Sequence, residues 1–482
     1  MWLLYNKKRC LPYRAPGRDA ARLAGGFDRI RAQCAQIREV NCMPFGFRGG
    51  IHPDDKKSAT ARRAIEELLA PAQVVLPMSM HIGAPCNPLV SVGDRVLLGQ
   101  RIAESAAPVS APIHASVSGT VVAIEPRPHP NGSKVMSIVI ENDFKDEAEE
   151  SSATDTRFAD LSAEALGELC RNAGIVGLGG AAFPTQIKLN SADGVDTLII
   201  NGAECEPYIT SDNRLMLEHG DELLDGATIV MKALGLKTVH IAIESNKKEA
   251  VLKLRTLAAS MPHVKLDVLH TKYPQGSEKH LIRAVTGREI PPGKLPSAVG
   301  AINLNTATTV AIARAVRHGT PLTTKVVTVS GSAVANPKNL LVRIGTPISE
   351  LLAAAGGLRE TPYKVLMGGP MMGIAQYSLD VPVIKGTNAV LAFCEKEDRF
   401  SEEQTCIHCG KCVGVCPMNL EPVFLHMYAK KGRLADCEKL NVLDCIECGC
   451  CSYICPARIH LVQSFRTAKR QINEQKKKGV QG

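Results

Sequence analysis

The sequence predicts a multidomain fold of α/β plus β class: an all-β unit, an α/β unit with a mainly parallel sheet, a second small β-rich unit and a helical cysteine-rich module. Three observations predict it. Between residues 74 and 141, short apolar runs such as VVLPMS, GTVVAIE and VMSIVIE are parted by Gly and Pro, as in a β domain. From 160 to 320, helix-like periodicity alternates with short apolar strands, the pattern of an α/β sheet. From 406 to 456 the chain reads CIHCGKCVGVCP, a gap, then CIECGCCSYICP. At 482 residues the chain has room for about three to four domains.

Taken in order, residues 1–42 carry Arg9, Arg14, Arg18, Arg22, Arg29, Arg31 and Arg38 with little apolar periodicity, and read as a disordered leader. The apolar core of a signal peptide is missing, and Asp19, Asp28 and Glu39 argue against a transit peptide. Met43 opens MPFGFRGGIHPDDKK, a natural beginning. The first β unit is expected over 44–142. Its segment HIGAPCNPLVSVGDRVLLGQRIAES…APIHASVSGTVVAI resembles the barrel-sandwich fold of biotinyl and lipoyl domains. Those domains carry a Lys at a hairpin tip; here the tip is Ile113-His114-Ala115-Ser116, so a scaffold is expected and not a swinging arm. The acidic, polar run 143–157 suits a linker.

The α/β unit is expected over 158–322. TLIIN, TVHIAIE and KLDVLH are its strands; LSAEALGELCRNAG, RLMLEHGDELLDGATIVMKALG and NKKEAVLKLRTLAAS are its helices. Over 323–395 the strands KVVTVSG, YKVLMGG and NAVLAF flank the helix ISELLAAAGG, an order that suits a β-grasp, SLBB-like fold. The cysteine module is expected over 396–470 as a helical ferredoxin, since EPVFLHMYAKKGRLADCEKL and LVQSFRTAKRQINEQ read as helices. The chain ends in a basic tail, 471–482, whose last part QKKKGVQG is expected to fray.

Each half of the cysteine module gives Cys-x2-Cys-x2-Cys-x3-Cys-Pro. Three thiolates two residues apart let one loop wrap three corners of a cubane, and the fourth reaches across to the other cluster. Cys406, Cys409, Cys412 and Cys455 are therefore assigned to one [4Fe–4S] cluster, and Cys445, Cys448, Cys451 and Cys416 to a second. Structural zinc would want two Cys pairs and leaves the third Cys of each run unexplained. Cys437 and Cys450 stand off the repeat and read as non-ligands, and His408 as a residue that tunes exposure or points to solvent.

Gly177-Leu178-Gly179-Gly180-Ala181-Ala182 formally fits GxGxxA, but a helical stretch precedes it where the dinucleotide fingerprint needs a strand. Glycines still let backbone approach a phosphate or a flat ring. The strand TLIIN ends in Asn201-Gly202-Ala203-Glu204-Cys205-Glu206-Pro207, and carboxylates at the C-terminal end of a strand lie where α/β folds bind ligands. The plain alternative is a tight turn plus surface acids. Cys205 reads as a small buried side chain beside the ligand.

The order GLGGAAFPTQIKL, NGAECEP, YPQGSE, NLNTAT resembles the flavin- and NADH-binding 51-kDa-type subunit of respiratory complex I. With FRGGIHP, the sandwich, the β-grasp unit and the doubled cysteine motif, the chain from 44 to 470 resembles the C-subunit family of Rnf-type ion-translocating NAD:ferredoxin oxidoreductases. That resemblance implies a complex I flavoprotein-like α/β domain binding FMN. Gly177, Gly179, Gly180 and Lys188 would lie around it, Lys188 near its phosphate. Asn201 and Glu204 would face the flavin, with Asn305 and Thr308 closing its far side. Phe183, Glu206, Tyr273 and Glu278 would meet NAD(H), Gly276 would also lie at the cofactor site, and Glu204 is the carboxylate best placed to tune or protonate near the flavin. The chain departs from the complex I pattern at Leu178, Ala203, Ser277 and Leu304, where an Arg, an acid, a Glu and an Asn stand in that family.

The function implied is a peripheral electron-transfer subunit passing electrons between NAD(H), FMN and two [4Fe–4S] clusters. Its partners would be integral and peripheral subunits of one membrane complex, and ferredoxin through that complex, at the cytoplasmic side of the cell inner membrane. The rivals are a soluble flavin/iron–sulfur reductase, such as a cobalamin reductase, and a non-catalytic ligand-binding module with structural clusters. Composition bears on this. The chain has no apolar run of 18 residues or more, the length of a spanning helix. Its 17 Cys form no disulfide framework, which points to a reducing compartment. The formal charge of +9 would suit an acidic carrier or an anionic membrane face. No nucleic-acid motif is present, so no nucleic-acid partner is expected.

Overall fold

The computed structural model describes residues 46–149, 161–397 and 402–480. The expected leader, and the stretch 150–157 of the expected linker, lie outside the described residues. The other half of that linker is packed: the Leu98 N–H donates to the Glu147 carbonyl at 2.8 Å and the Glu149 N–H to the Leu98 carbonyl at 2.9 Å. Arg95 pairs with Asp143 and Glu147, and Arg343 with Asp146, so the acids that suggested solvation are used as ion-pair partners.

The barrel-sandwich unit has a four-stranded antiparallel sheet in the order Gln73–Pro77, Lys134–Asn142, Gly119–Pro128, Arg95–Val96. A three-stranded sheet joins Asn87–Pro88, Arg101–Glu104 and Ile113–His114. The segment expected at a hairpin tip is buried. Ile113, His114, Ala115 and Ser116 are at most 6 % exposed, and the Ser116 hydroxyl donates to the Ile344 carbonyl of the β-grasp unit.

The α/β unit is built on four parallel strands in the order Val264–Leu269, Val239–Glu244, Thr197–Gly202, Ala301–Asn305. The chain starts at Thr197–Gly202, steps outward twice, then returns to the other side of the first strand. Adjacent connections therefore diverge between Thr197–Gly202 and Ala301–Asn305, a topological switch point with a crevice at the strands' C-terminal ends. Asn201 and Asn305 lie opposite each other there. The helix expected over RLMLEHGDELLDGATIVMKALG is two helices, Ser211–Glu218 and Gly220–Ala233. His219 leaves helical angles, and Gly220 lets Leu254 and Leu257 pack where a Cβ would sit 2.9 Å from Leu257 Cδ1.

The β-grasp unit has a six-stranded sheet, and it recruits Ile65–Glu67 as an edge strand parallel to Lys338–Arg343. Its core gathers Val327, Val329, Leu340, Leu351 and Val390 under the helix Ile348–Ala354. Among the described residues from 402 onward there are helices and turns but no strand. The last helix runs Leu461–Val480, so most of the tail expected to fray is helical. Phe465, Ala468 and Ile472 anchor it in the module's core, and Lys476 pairs with Glu438 at 2.5 Å.

Candidate flavin, nucleotide and cluster site

A cavity of ≈ 620 Å³ opens at the switch point. All thirteen residues expected around FMN and NAD(H) line it: Gly177, Gly179, Gly180, Phe183, Lys188, Asn201, Glu204, Glu206, Tyr273, Gly276, Glu278, Asn305 and Thr308. Every unit of the fold contributes to its wall. Pro130 comes from the barrel, the turn Met367–Gly373 and Ile384–Asn388 from the β-grasp unit, and Ile446 from the cysteine module.

The glycine loop is held from both ends. The Gly177 N–H donates to the Phe183 carbonyl at 2.8 Å, closing the loop on itself. The Leu178 N–H donates to Thr308 Oγ1 at 2.8 Å, which ties the loop to the helix Thr306–His318. Beneath it, buried Lys325 donates to the carbonyls of Leu178 and Lys385 at 2.7 Å each, and burial brings its amine down to about 7. Asn305 caps the helix, its Oδ1 accepting from the Ala307 N–H at 2.9 Å. Its Nδ2 donates to Asp212 Oδ2 at 2.7 Å.

The loop after strand Thr197–Gly202 carries the acids. Asn201 Nδ2 donates to the Gly276 carbonyl at 2.9 Å, and Gly276 lies so close that an added Cβ would stand 2.2 Å from the Ala203 carbonyl oxygen. The Gly276 N–H donates to Cys205 Sγ at 3.3 Å, and burial pushes that thiol's pKa up. Glu204 Oε1 accepts from the Asp212 N–H at 2.9 Å. Its Oε2 is buried without a hydrogen-bond donor, 3.9 Å from Lys57 Nζ. Burial pushes the Asp212 carboxyl up to about 7, and the Glu204 charge beside it adds to the rise. Two buried lysines hold the loop's backbone: Lys57 donates to the Glu206 carbonyl at 2.8 Å and Lys247 to the Glu204 carbonyl at 3.0 Å.

Glu206 and Lys188 have partners that the sequence did not suggest. Glu206 accepts from the Met371 and Met372 N–H groups at 3.1 and 3.0 Å, and its Oε1 lies 3.4 Å from the Tyr273 hydroxyl oxygen. Gly369 lies flush against this carboxylate, where a Cβ would stand 2.1 Å from Oε2. Burial pushes Glu206 up to about 7. Expected apart, at the phosphate and the nucleotide, Lys188 and Glu278 are paired at 2.6 Å. Sequence reading missed Asp212, Lys57, Lys247, Lys325 and the turn Gly368–Gly373. The available signals were the SDN that starts the next helix and the glycine-rich GGPMMG between two strands.

The cysteine module meets this cavity directly. The Tyr273 hydroxyl donates to the Cys448 carbonyl at 2.8 Å, and Tyr273, Ile51, Cys448 and Cys450 form one buried apolar group that Cys205 and Met371 pack against. The FRGGIHP segment stitches the two units: the Gly50 N–H donates to the Val415 carbonyl at 2.8 Å, and Ile51 exchanges two backbone bonds with Tyr273.

The residues around the large cavity fit the flavin and nucleotide the sequence implies. Two residues of the cavity wall hold buried polar atoms without hydrogen-bond partners: Glu204 Oε2, which a ring N–H would satisfy, and Thr185 Oγ1, which could donate to a phosphate or carbonyl oxygen. Behind Ile446, a smaller cavity of ≈ 20 Å³ is lined by Cys416, Cys445, Cys448 and Cys451, the quartet assigned to the second cluster. Off-repeat Cys450 also reaches its wall. Burial pushes the Cys412 thiol up, with nearby Cys455 and Cys406 of the first quartet adding to the rise, and Cys409 is exposed.

Comparison with known families gives four matches along the chain. They are the RnfC barrel sandwich hybrid domain (residues 45–145), the Nuo51 FMN-binding domain (170–314), the SLBB domain (326–375) and the 4Fe-4S dicluster domain (399–456). Among curated proteins, the chain is 45% identical over 442 residues to the C subunit of the Na(+)-translocating ferredoxin:NAD(+) oxidoreductase complex of Acetobacterium woodii, covering 91% of this chain and 100% of that one. It is 47% identical over 430 residues to the C subunit of the proton-translocating ferredoxin:NAD(+) oxidoreductase complex of Clostridium ljungdahlii, covering 89% and 94%. It is 44% identical over 443 residues to the C subunit of the ion-translocating oxidoreductase complex of Rhodobacter capsulatus, covering 89% and 84%.

Proposed function

The chain belongs to the family of C subunits of ion-translocating ferredoxin:NAD(+) oxidoreductase complexes, and from that premise we propose that its large cavity is the flavin and nucleotide site and its cysteine module the electron outlet. It is an NADH-linked electron-transfer subunit with an FMN-binding domain and a 4Fe-4S dicluster domain. A bound flavin exchanges hydride with a nicotinamide and single electrons with iron–sulfur clusters, so it links two-electron and one-electron carriers.

The protein's part is position and charge. The glycine loop offers backbone at close range, pinned below by Lys325 and above by Thr308. Lys188 is the cation for a flavin phosphate, exchanging one anion, Glu278, for another. Glu204, on the cavity wall with one carboxylate oxygen lacking a donor, would accept from a ring N–H of the flavin. The β-grasp turn, latched by Glu206, forms the wall against which a nucleotide would lie. One observation carries the reading above the others: Ile446 belongs both to the large cavity's wall and to the loop of the second cysteine quartet, so only a side chain's thickness parts the two sites.

No helix among the described residues is long and apolar enough to cross a membrane. On this reading the chain sits at the cytoplasmic face of the inner membrane, held by neighbouring proteins of the complex that complete the path to ferredoxin. Anaerobically purified protein should hold about eight iron atoms, as two cubanes require, together with FMN whose absorbance NADH bleaches. Full iron without flavin, and no spectral response to NADH, would remove this reading in favour of a non-catalytic module.

A further inference from the structure

The segment from Gly46 to Thr60 runs behind the large cavity as a strap. At one end Gly49 lies against the second cysteine quartet: an added Cβ would stand 2.6 Å from the Cys416 carbonyl oxygen. In the middle the Asp55 carbonyl accepts from the Tyr208 N–H at 2.8 Å. At the other end the Thr210 hydroxyl donates to Thr60 Oγ1 at 2.7 Å. Between these ties two neighbouring lysines part company. Lys56 takes a left-handed angle (φ 48), stays exposed and pairs with Asp54 at 2.8 Å. Lys57 turns inward and is 7% exposed.

Lys57 Nζ donates to the Glu206 carbonyl at 2.8 Å and to the Ile209 carbonyl, which fixes the ammonium behind the loop. It also lies 3.9 Å from Glu204 Oε2, the oxygen that no hydrogen-bond donor reaches. The contact between them is therefore one of charge. Among the described residues Lys57 is the one ion-pair partner of Glu204. The other acids around the loop are answered elsewhere. Glu244 pairs with Lys247 at 3.0 Å, Asp212 faces Asn305 and the charge of Lys325, and Glu206 takes the Met371 and Met372 N–H groups. Burial draws the Lys57 amine down, and the Glu204 charge is the largest influence holding it up. In a site this dry, each charge acts on its neighbours more strongly than it would in water.

We propose that Lys57 is the electrostatic counterweight of Glu204 and sets the reduction potential of a flavin in the cavity. This deepens the functional reading above and rests on it. Hydride transfer oxidises NADH to NAD+ and gives the flavin two electrons and one proton, so the site gains one negative charge. A bare carboxylate facing the ring opposes that gain, and the buried ammonium behind the carboxylate offsets it and favours the reduced form. Lys57 does not itself line the cavity. It is a positioning residue that acts through its charge and through Glu204.

The test uses the full chain with its clusters and flavin, purified anaerobically, and follows flavin absorbance against applied potential. Lys57→Gln keeps a donor for the two carbonyls but drops the charge. At a fixed potential its ratio of reduced to oxidised flavin should fall about tenfold, which is about 30 mV for a two-electron couple. Glu204→Gln should move the ratio the other way, and the double variant should lie near wild type. Lys56→Gln removes the same charge from an exposed neighbour and should leave the ratio unchanged, because solvent screens it. Iron content should match wild type throughout. If Lys57→Gln alone does not retain flavin, the double variant decides, since it removes both members of the buried pair. Its ratio should lie about tenfold below that of Glu204→Gln, the same interval as between Lys57→Gln and wild type. An unchanged ratio in Lys57→Gln, equal ratios in the double variant and Glu204→Gln, or an equal fall in Lys56→Gln overturns the assignment. Wild-type protein that holds no flavin tells against the functional reading instead, and is read from flavin content before any titration.

Discussion

Asp212 shows how one residue can matter to the site without belonging to a recognisable motif. It stands on the cavity wall with Glu204 as a neighbour and Asn305 Nδ2 at 2.7 Å, and burial raises its carboxyl from 3.8 to about 7. Between those values the folded chain holds a proton that the unfolded chain has lost. Stability linked to this group is therefore full at the acid end and is lost as pH rises toward 7. Asn cannot ionise, yet its Oδ1 can still accept from Asn305. The melting temperature of Asp212→Asn relative to wild type should become more favourable from pH 5 to pH 8, read by parallel thermal scans; a difference that stays constant with pH would show that Asp212 is ionised throughout. The motif acids illustrate the reverse. Glu204 and Glu206 were legible from NGAECEP, but an extended segment would have sent both to one face. The strand ends at Gly202, so Glu204 turns to the helix Ser211–Glu218 and Glu206 to the β-grasp turn.

At the scale of elements, periodicity and punctuation recovered three of the four parallel strands, missing Ala301–Asn305, together with the β-grasp helix and the helical cysteine module. They did not reveal that Ile65–Glu67 serves a sheet whose other strands begin at Thr324, because strand pairing across such a separation leaves no local pattern. The split at His219 was hidden for a similar reason, since packing of Leu254 and Leu257 against Gly220 is a tertiary fact. The helix Thr306–His318 couples fold to site most directly. Its cap Asn305 satisfies the first-turn N–H groups with one end of its amide and orients Asp212 with the other. Asn305→Ala should lower stability by about 1 kcal/mol through loss of the cap and should weaken flavin retention. Asn305→Asp separates the two effects. It caps as well as Asn, but sets a carboxylate against Asp212, so it should lose flavin while destabilising mainly above neutral pH. Equal flavin content in both variants and wild type would confine Asn305 to the helix end.

The whole molecule is organised by lysines that hold carbonyls where the units meet, and this was the least legible feature of the sequence. A lone Lys in a loop reads as solvated, and nothing local tells that Lys385, 1% exposed, donates to the carbonyls of Pro112 and Gly174 at 2.6 and 2.7 Å. Those two bonds join the β-grasp unit to the barrel-sandwich and to the turn that leads into the glycine loop. The residues on either side, Ile384 and Gly386, line the cavity, so the pin sits directly behind the site. Burial brings the Lys385 amine down from 10.5 to about 8, and a neutral amine can still donate to both carbonyls. The sign follows from proton counting. Between 8 and 10.5 the unfolded chain binds a proton that the folded chain does not, so stability linked to Lys385 rises with pH across that window and is lost as pH falls through it. Lys385→Met keeps the bulk of the side chain but leaves two buried carbonyls without a donor, at a cost of about 1–3 kcal/mol each. The variant should melt several degrees below wild type, fall further behind between pH 8 and pH 10, release flavin more readily, and expose the junction near Pro112 to limited proteolysis. Its iron content should stay near wild type, because the cysteine module does not share this junction. A variant as stable as wild type over that pH range, with flavin retained, would mean that the units are held by their apolar contacts alone and that Lys385 is merely accommodated.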